Sequence, residues 1–233
     1  MSNGAATTLR MPKAILFDLD GTLVDSAADI AAAVNELLAG RGLPSLTVAQ
    51  VTAMIGNGVE KLLERAFAAV GTPLSAAEFE QANREMAPIY RRHTTRLTRL
   101  MPGAAEALAQ LHVAGVRMGV VTNKPQLATR EVLLHFGIAE RLGAIVGGDA
   151  VTRKKPAPDA LLLALDRLKV EPQDALMVGD SVTDVEAARA ANMPVIIIRG
   201  GYTQQPAELL GADLVCNSLL DLQAALNGLR SAA

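Results

Sequence analysis

Apolar residues in this chain fall into two spacings, and their alternation predicts most of the architecture. Unbroken bursts occur at Ala14–Phe17, Val116–Thr122, Ala144–Val146, Ala175–Val178 and Val195–Ile198, with a weaker one at Leu214–Cys216. Short β-prone bursts without polar alternation predict strands covered on both faces, as in a parallel sheet, with Leu214–Cys216 as an edge. Between them, Ala104–Ala114, Gln126–Phe136, Asp159–Leu168 and Val182–Ala191 carry apolar residues at helical spacing. Strands alternating with helices predict βαβ units.

Residues 26–100 break this alternation. No strand is predicted there. Asp29–Leu38, Val59–Val70 and Ala76–Arg92 have helical spacing, and Gly40, Gly42 with Pro44, and Gly71 with Pro73 punctuate them. The strand and helix alternation resumes after Met101-Pro102-Gly103. The economical architecture is an α/β core built from residues 11–25 and 101–229, with an all-α unit, residues 26–100, inserted after the first strand. Residues 1–10 are small and polar and predict a disordered tail.

Composition narrows the function classes. The chain has 233 residues, 50% of them hydrophobic, which suits one large or two small globular domains. Aromatics are 3% and Trp is absent, so the core is expected to be Ala, Val, Leu and Ile, and base-stacking recognition of nucleic acid is disfavoured. A net charge of -2 gives no reason to expect a polyanionic partner. A single cysteine, Cys216, excludes an intramolecular disulfide, and with no secretory signal the expected location is cytoplasmic. No apolar stretch is long enough to span a membrane. The expected partner is a small molecule, with the chain a monomer or homodimer.

Chemistry concentrates where the bursts end. Asp18-Leu19-Asp20-Gly21-Thr22 follows the first burst, and open α/β sheets build sites at such strand ends. Two carboxylates this close repel unless a cation bridges them, and Mg²⁺ prefers oxygen ligands. Asp18 is suited to nucleophilic attack on phosphorus, and Asp20 to general acid and base work. An Asp-rich turn is the plainer alternative.

Thr122 and Asn123 follow the second burst and offer a hydroxyl and an amide to phosphoryl oxygens. Asn123 before Lys124-Pro125 also fits a helix cap. Lys155, in Lys154-Lys155-Pro156, is suited to neutralising phosphoryl charge, or belongs to a solvated basic loop. Asp180 ends the fourth burst and is the third candidate metal ligand. Asp184, four residues on, is suited to orienting the metal site or holding Lys155, or to a simple helix start.

Together these residues resemble the signature of the haloacid dehalogenase superfamily: DxDGT, then Thr or Ser, then Lys, then GDxxxD. Here they are Asp18–Thr22, Thr122, Lys155 and Asp180–Asp184. The resemblance implies a Rossmann-like three-layer α/β/α core with a parallel sheet and an inserted helical cap domain. It implies Mg²⁺ held by Asp18 and Asp180 side chains and the Asp20 carbonyl, with catalysis by Asp18, Asp20, Thr122 and Lys155. The acid at position 20 favours phosphatase over dehalogenase, since only the former needs a leaving-group proton.

Within the superfamily, Ile55–Val59, Val121–Pro125, Gly147–Asp149 and Gly200–Tyr202 resemble the phosphoglycolate phosphatase subfamily, with Thr203 where Asn is usual. The resemblance implies 2-phosphoglycolate as substrate and a cap loop, Gly56-Asn57-Gly58, closing over the site. Gly58 opens a helix whose free N–H groups are suited to the substrate carboxylate, with Lys61 and Arg65 nearby on one face, or the segment is a plain helix–loop–helix connection. The alternatives are a sugar-phosphate or nucleotide phosphatase, a β-phosphoglucomutase-like phosphotransferase, or a catalytically silent protein on this fold. The basic run Arg91, Arg92, His93, Arg96 and Arg99 reads as a solvated helix face, His112 and His135 as packing or surface residues, and Cys216 as an apolar filler.

Overall fold

The computed structural model describes residues 11–231, so the tail expected at 1–10 lies outside the described residues. In chain order the elements are β1 (Ala14–Phe17), β2 (Val24–Asp25), α1 (Ala27–Gly40), α2 (Val48–Thr52), α3 (Val59–Ala69), α4 (Ala76–Arg92), β3 (Arg99–Leu100), α5 (Ala104–Val113), β4 (Arg117–Val121), α6 (Gln126–His135), β5 (Ala144–Val146), α7 (Asp159–Leu168), β6 (Ala175–Gly179), α8 (Val182–Ala190), β7 (Val195–Ile198), β8 (Leu214–Cys216) and α9 (Leu222–Ser231).

The long strands form one six-stranded sheet in the order β5-β4-β1-β6-β7-β8. All its pairings are parallel, with Phe17 opposite Val120 on one side and Val178 on the other. Alternation along each strand splits the core in two. Ile15, Phe17, Val120 and Val178 face one layer with α5, α6 and α9. Ala14, Leu16, Val121 and Met177 face the other with α7 and α8. This is a three-layer α/β/α arrangement with a Rossmann-like sheet.

Helices α1 to α4 gather a third cluster, led by Val34, Leu38, Leu63, Phe67 and Met86, with Ala128 of α6 touching its edge. Ser75 starts α4 with a capping box on Glu78. Two features differ from the sequence expectation. Val24–Asp25 and Arg99–Leu100 pair as an antiparallel two-stranded ribbon at the root of the helical segment. Strands this short carry no periodicity, so residue pattern alone does not reveal them. Thr47 also caps a short helix, α2, through its own capping box with Gln50.

Candidate active site

Strand order reverses about β1, and the carboxyl ends of β1, β4 and β6 meet there, where open α/β sheets bind ligands. Asp18 is the first residue beyond β1, and its amide donates to Val178 O at 2.9 Å, prolonging the ladder. The chain then turns sharply at Gly21, whose φ is 89° and where a Cβ would lie 2.6 Å from Asp180 Oδ2. Only glycine lets the first loop cross that carboxylate.

Hydrogen bonds fix each acid. Asp180 accepts from Thr22 Oγ1 at 2.9 Å and from the Tyr202 amide at 2.7 Å. Asp184 Oδ2 accepts from Ser181 Oγ at 2.6 Å and from the amides of Asp180 and Ser181 at 3.2 and 3.1 Å, as its capping-box position at the start of α8 allows. Lys155 Nζ donates to Asp184 Oδ1 at 2.7 Å and to Val121 O at 2.9 Å, and lies 2.9 Å from Asp18 Oδ1. That last contact is an ion pair misaligned for a hydrogen bond, and Asp18 Oδ1 has no other partner. Asp20 accepts from Ser26 Oγ at 2.6 Å and from Lys124 Nζ at 3.1 and 3.3 Å.

The acids share one buried volume. Oxygens of Asp18, Asp180 and Asp184 lie within 4.8 Å of one another, and all three residues are buried. Burial pushes the Asp18 carboxyl up to about 7, opposed by Lys155 and reinforced by Asp184. Burial, then Asp184 and Asp18, hold Asp180 well above the usual carboxylate range. Burial alone would lower Lys155, but Asp18 and Asp184 outweigh it and raise its pKa. One ammonium among three carboxylates leaves excess negative charge. An Asp18 oxygen that accepts no hydrogen bond and two acids driven toward their neutral forms fit a site for a hard cation. Asp184 has its oxygens already committed, which suits a positioning part better than ligation.

The model of the haloacid dehalogenase-like hydrolase family matches residues 15–198. The chain belongs to this family. Curated relatives include a phosphoglycolate phosphatase of Rhodospirillum rubrum, 40% identical over 216 residues that cover 91% of this chain and 90% of the relative. Another is a phosphoglycolate phosphatase of Cereibacter sphaeroides, 44% identical over 193 residues, covering 82% of this chain and 87% of the relative. Among solved structures, a predicted phosphoglycolate phosphatase from Haemophilus somnus superposes with a TM-score of 0.87 at 31% identity, covering 93% of this chain and 99% of that one. CbbY from Rhodobacter sphaeroides, solved with phosphate, gives 0.78 at 28% identity, covering 93% and 100%. The hydrolase is thereby a phosphoric monoester hydrolase.

The other residues singled out by sequence divide in two. Thr122, Asn123, Gly56 and Gly58 line a cavity of about 40 Å³ with Asp18 and Asp20, walled by Ile30, Ile55, Val59 and Leu62. Asn57 lines a wider cavity of about 220 Å³ on the Asp180 side, with Arg65, Tyr202 and Thr203. The Asn123 amide is not free for a ligand: it donates to Gly56 O at 2.8 Å and Lys155 O at 2.9 Å, tying the helical segment to the Lys155 loop. Lys61 is exposed, pairs with Glu64 at 2.6 Å and lines neither cavity. Helical spacing gives the face of α3 but not which long side chain turns outward.

Sequence reasoning passed over Lys124, Tyr90 and Tyr202. Lys124 is buried and donates to Tyr90 Oη at 2.9 Å as well as to Asp20. Its place two residues after Thr122 in the strand-end loop is a signal that would have found it. Tyr202 ends the Gly200–Tyr202 stretch already matched to the subfamily, whereas Tyr90, within α4, leaves no such local mark.

Proposed function

We propose that this hydrolase is a Mg²⁺-dependent phosphatase of small phosphate monoesters, acting on 2-phosphoglycolate to give glycolate and phosphate through an aspartyl-phosphate. The observation that carries the proposal is the placement of Asp20 beside Asp18, its carboxylate held by Ser26 and Lys124 on the wall of the small cavity. A binding module has no use for a carboxylic acid poised there. The names of the relatives support the substrate.

In the proposed reaction Asp18 attacks phosphorus as the ester P–O bond breaks. Asp20 gives its proton to the departing oxygen. Asp20 then takes a proton from the water that attacks phosphorus, releasing phosphate and restoring Asp18. Thr122 donates its hydroxyl to a phosphoryl oxygen, and its own oxygen accepts from the Lys124 amide at 3.2 Å. Lys155 balances charge on Asp18 and on the transferring group. Asp18, Asp180 and the Asp20 carbonyl would hold Mg²⁺, which would supply positive charge to the site.

We assign residues 11–25 and 101–229 to the catalytic core and 26–100 to a cap. Cap contacts with the core support its part in excluding water: Asn123 with Gly56, Lys154 with Glu60, and Lys124 with Tyr90. Phosphate and bisphosphate ligands in the CbbY structures favour a small phosphorylated metabolite as partner. A sugar phosphate is the second choice, since the wider cavity of about 220 Å³ is also lined by Asp18 and Asp20. Phosphate release with Mg²⁺ from 2-phosphoglycolate, sugar phosphates and nucleoside monophosphates tests the proposal. Strong preference for 2-phosphoglycolate is expected; preference for a larger ester would overturn the substrate and leave the mechanism.

A further inference from the structure

The phosphoryl end of the site is supplied with positive charge by Lys155, whose ammonium is committed to Asp18 and Asp184. An ester such as 2-phosphoglycolate brings a second negative group, and that group needs its own cation. Lys61 faces Glu64. Arg65 lies on the wider cavity, where two neutral acceptors, Met54 O and Asn57 Oδ1, hold its guanidinium at 2.7 Å each, and it does not line the small one. Among the residues lining the small cavity beside Asp18 and Asp20, Lys124 is the one cation, with apolar walls from Ile30, Ile55, Val59 and Leu62.

Resting on the substrate assigned above, we propose that Lys124 is the specificity-determining residue that reads the carboxylate of the substrate. Its side chain is 2% exposed, so the charge acts with little screening by water. An ammonium has three protons. They go to Tyr90 Oη at 2.9 Å and to the two Asp20 oxygens at 3.1 and 3.3 Å. The longest of these, to Asp20 Oδ2, is the contact that a ligand oxygen in the cavity would replace. Tyr90 belongs to α4 in the helical segment, and its ring centroid lies 5.0 Å from the ammonium. The Tyr90 phenol and the Asp20 carboxylate therefore both hold the lysine head, one from the helical segment and one from the first loop. An incoming carboxylate meets a cation already stripped of water and oriented, the arrangement in which a charge-assisted hydrogen bond is strongest. A neutral group in the same place accepts a bond without charge assistance, which is weaker and disfavours uncharged esters.

The test compares a matched pair, 2-phosphoglycolate and 2-hydroxyethyl phosphate, which differ by carboxylate against hydroxymethyl. The kcat/KM ratio of the pair is measured for the wild type, Lys124→Met and Lys124→Arg, with Lys124→Gln read in place of the methionine variant should that one not fold. Both esters slow in the neutral variants, since the same ammonium holds Asp20; the ratio is the readout. The preference for the carboxylated ester is expected to fall by about tenfold or more without the cation, chiefly through KM, and to survive in Lys124→Arg. A high wild-type ratio that Lys124→Met keeps would overturn this assignment alone. A wild-type ratio near unity would overturn the substrate and this assignment together.

Discussion

The phenol oxygen of Tyr202 lies 2.7 Å from the amide nitrogen of Ser26, so a side chain near the end of the sheet caps the first helix of the inserted segment. The same oxygen accepts from the Ala27 amide at 3.0 Å and donates to Asp25 Oδ1 at 2.8 Å. Ser26 is the N-cap residue of α1 but makes no capping bond; its hydroxyl goes to Asp20. Tyr202 therefore supplies what Ser26 does not, and its own amide holds Asp180. Tyr202→Phe is expected to lower stability by about 1–2 kcal/mol, the usual effect of losing a helix cap. Thermal melts read the loss. An unchanged Tm would mean that water caps α1 as well as the phenol does.

Asp18→Asn is expected to abolish turnover, because the amide is no nucleophile. The same substitution is expected to raise metal-free stability above pH 7. Burial already drives the Asp18 carboxyl toward its neutral form, and asparagine supplies a neutral group of the same shape. Residual activity near wild type would remove Asp18 from the mechanism. A fall in metal-free Tm would show that the ion pair with Lys155 outweighs burial.

Much of this was legible before any coordinates. The bursts at Ala144–Val146 and Val195–Ile198 coincide with β5 and β7, because a strand covered on both faces must be apolar throughout, and the weaker one at Leu214–Cys216 coincides with the edge strand β8, where Leu214 is exposed. Asp18, Thr122, Lys155 and Asp180 were findable because loops at strand ends carry polar residues against an apolar background. Less legible were partners set by tertiary packing. The contact of Lys124 with Tyr90 spans 34 positions and that of Tyr202 with Ser26 spans 176, and no local pattern marks either. Asn123 illustrates the other limit: its residue type fits a ligand donor, but its neighbours consume the amide.

Metal binding should depend on pH with a definite sign. The folded state holds the Asp18 proton more tightly than the unfolded chain does, so metal-free stability falls as pH rises from the ordinary carboxylate range to about 7 and levels off beyond it. A divalent cation must expel that proton below about 7 and need not above it. The rise in Tm on adding Mg²⁺ is therefore expected to be larger near pH 8 than near pH 6. An equal or reversed shift would place the cation away from Asp18.

Asp20→Asn should divide the reaction at its midpoint. Without a proton to give, phosphorylation of Asp18 slows; without a base for water, the aspartyl-phosphate persists. Intact-protein mass spectrometry after mixing with substrate is expected to show a phosphorylated species absent from the wild type. Rapid steady turnover without that species would transfer the acid and base work to another group.

The pair formed by Lys154 and Glu60 allows closure to be separated from chemistry. Their charged atoms lie 2.5 Å apart, joining the Lys155 loop to the first turn of α3, and neither touches Asp18. Burial works against the Glu60 charge, but the bond from Lys154 prevails and keeps its carboxyl below the usual range. Both side chains are partly exposed, so the pair is worth about 1 kcal/mol or less to folding. Glu60→Gln is therefore expected to leave Tm nearly unchanged. It is expected to raise KM a few-fold, about what a weakened closing contact would give, with the wild-type KM rising toward it as salt screens the pair. A large fall in Tm with KM unaffected would mean that the ion pair holds the fold together and takes no part in closure over the substrate.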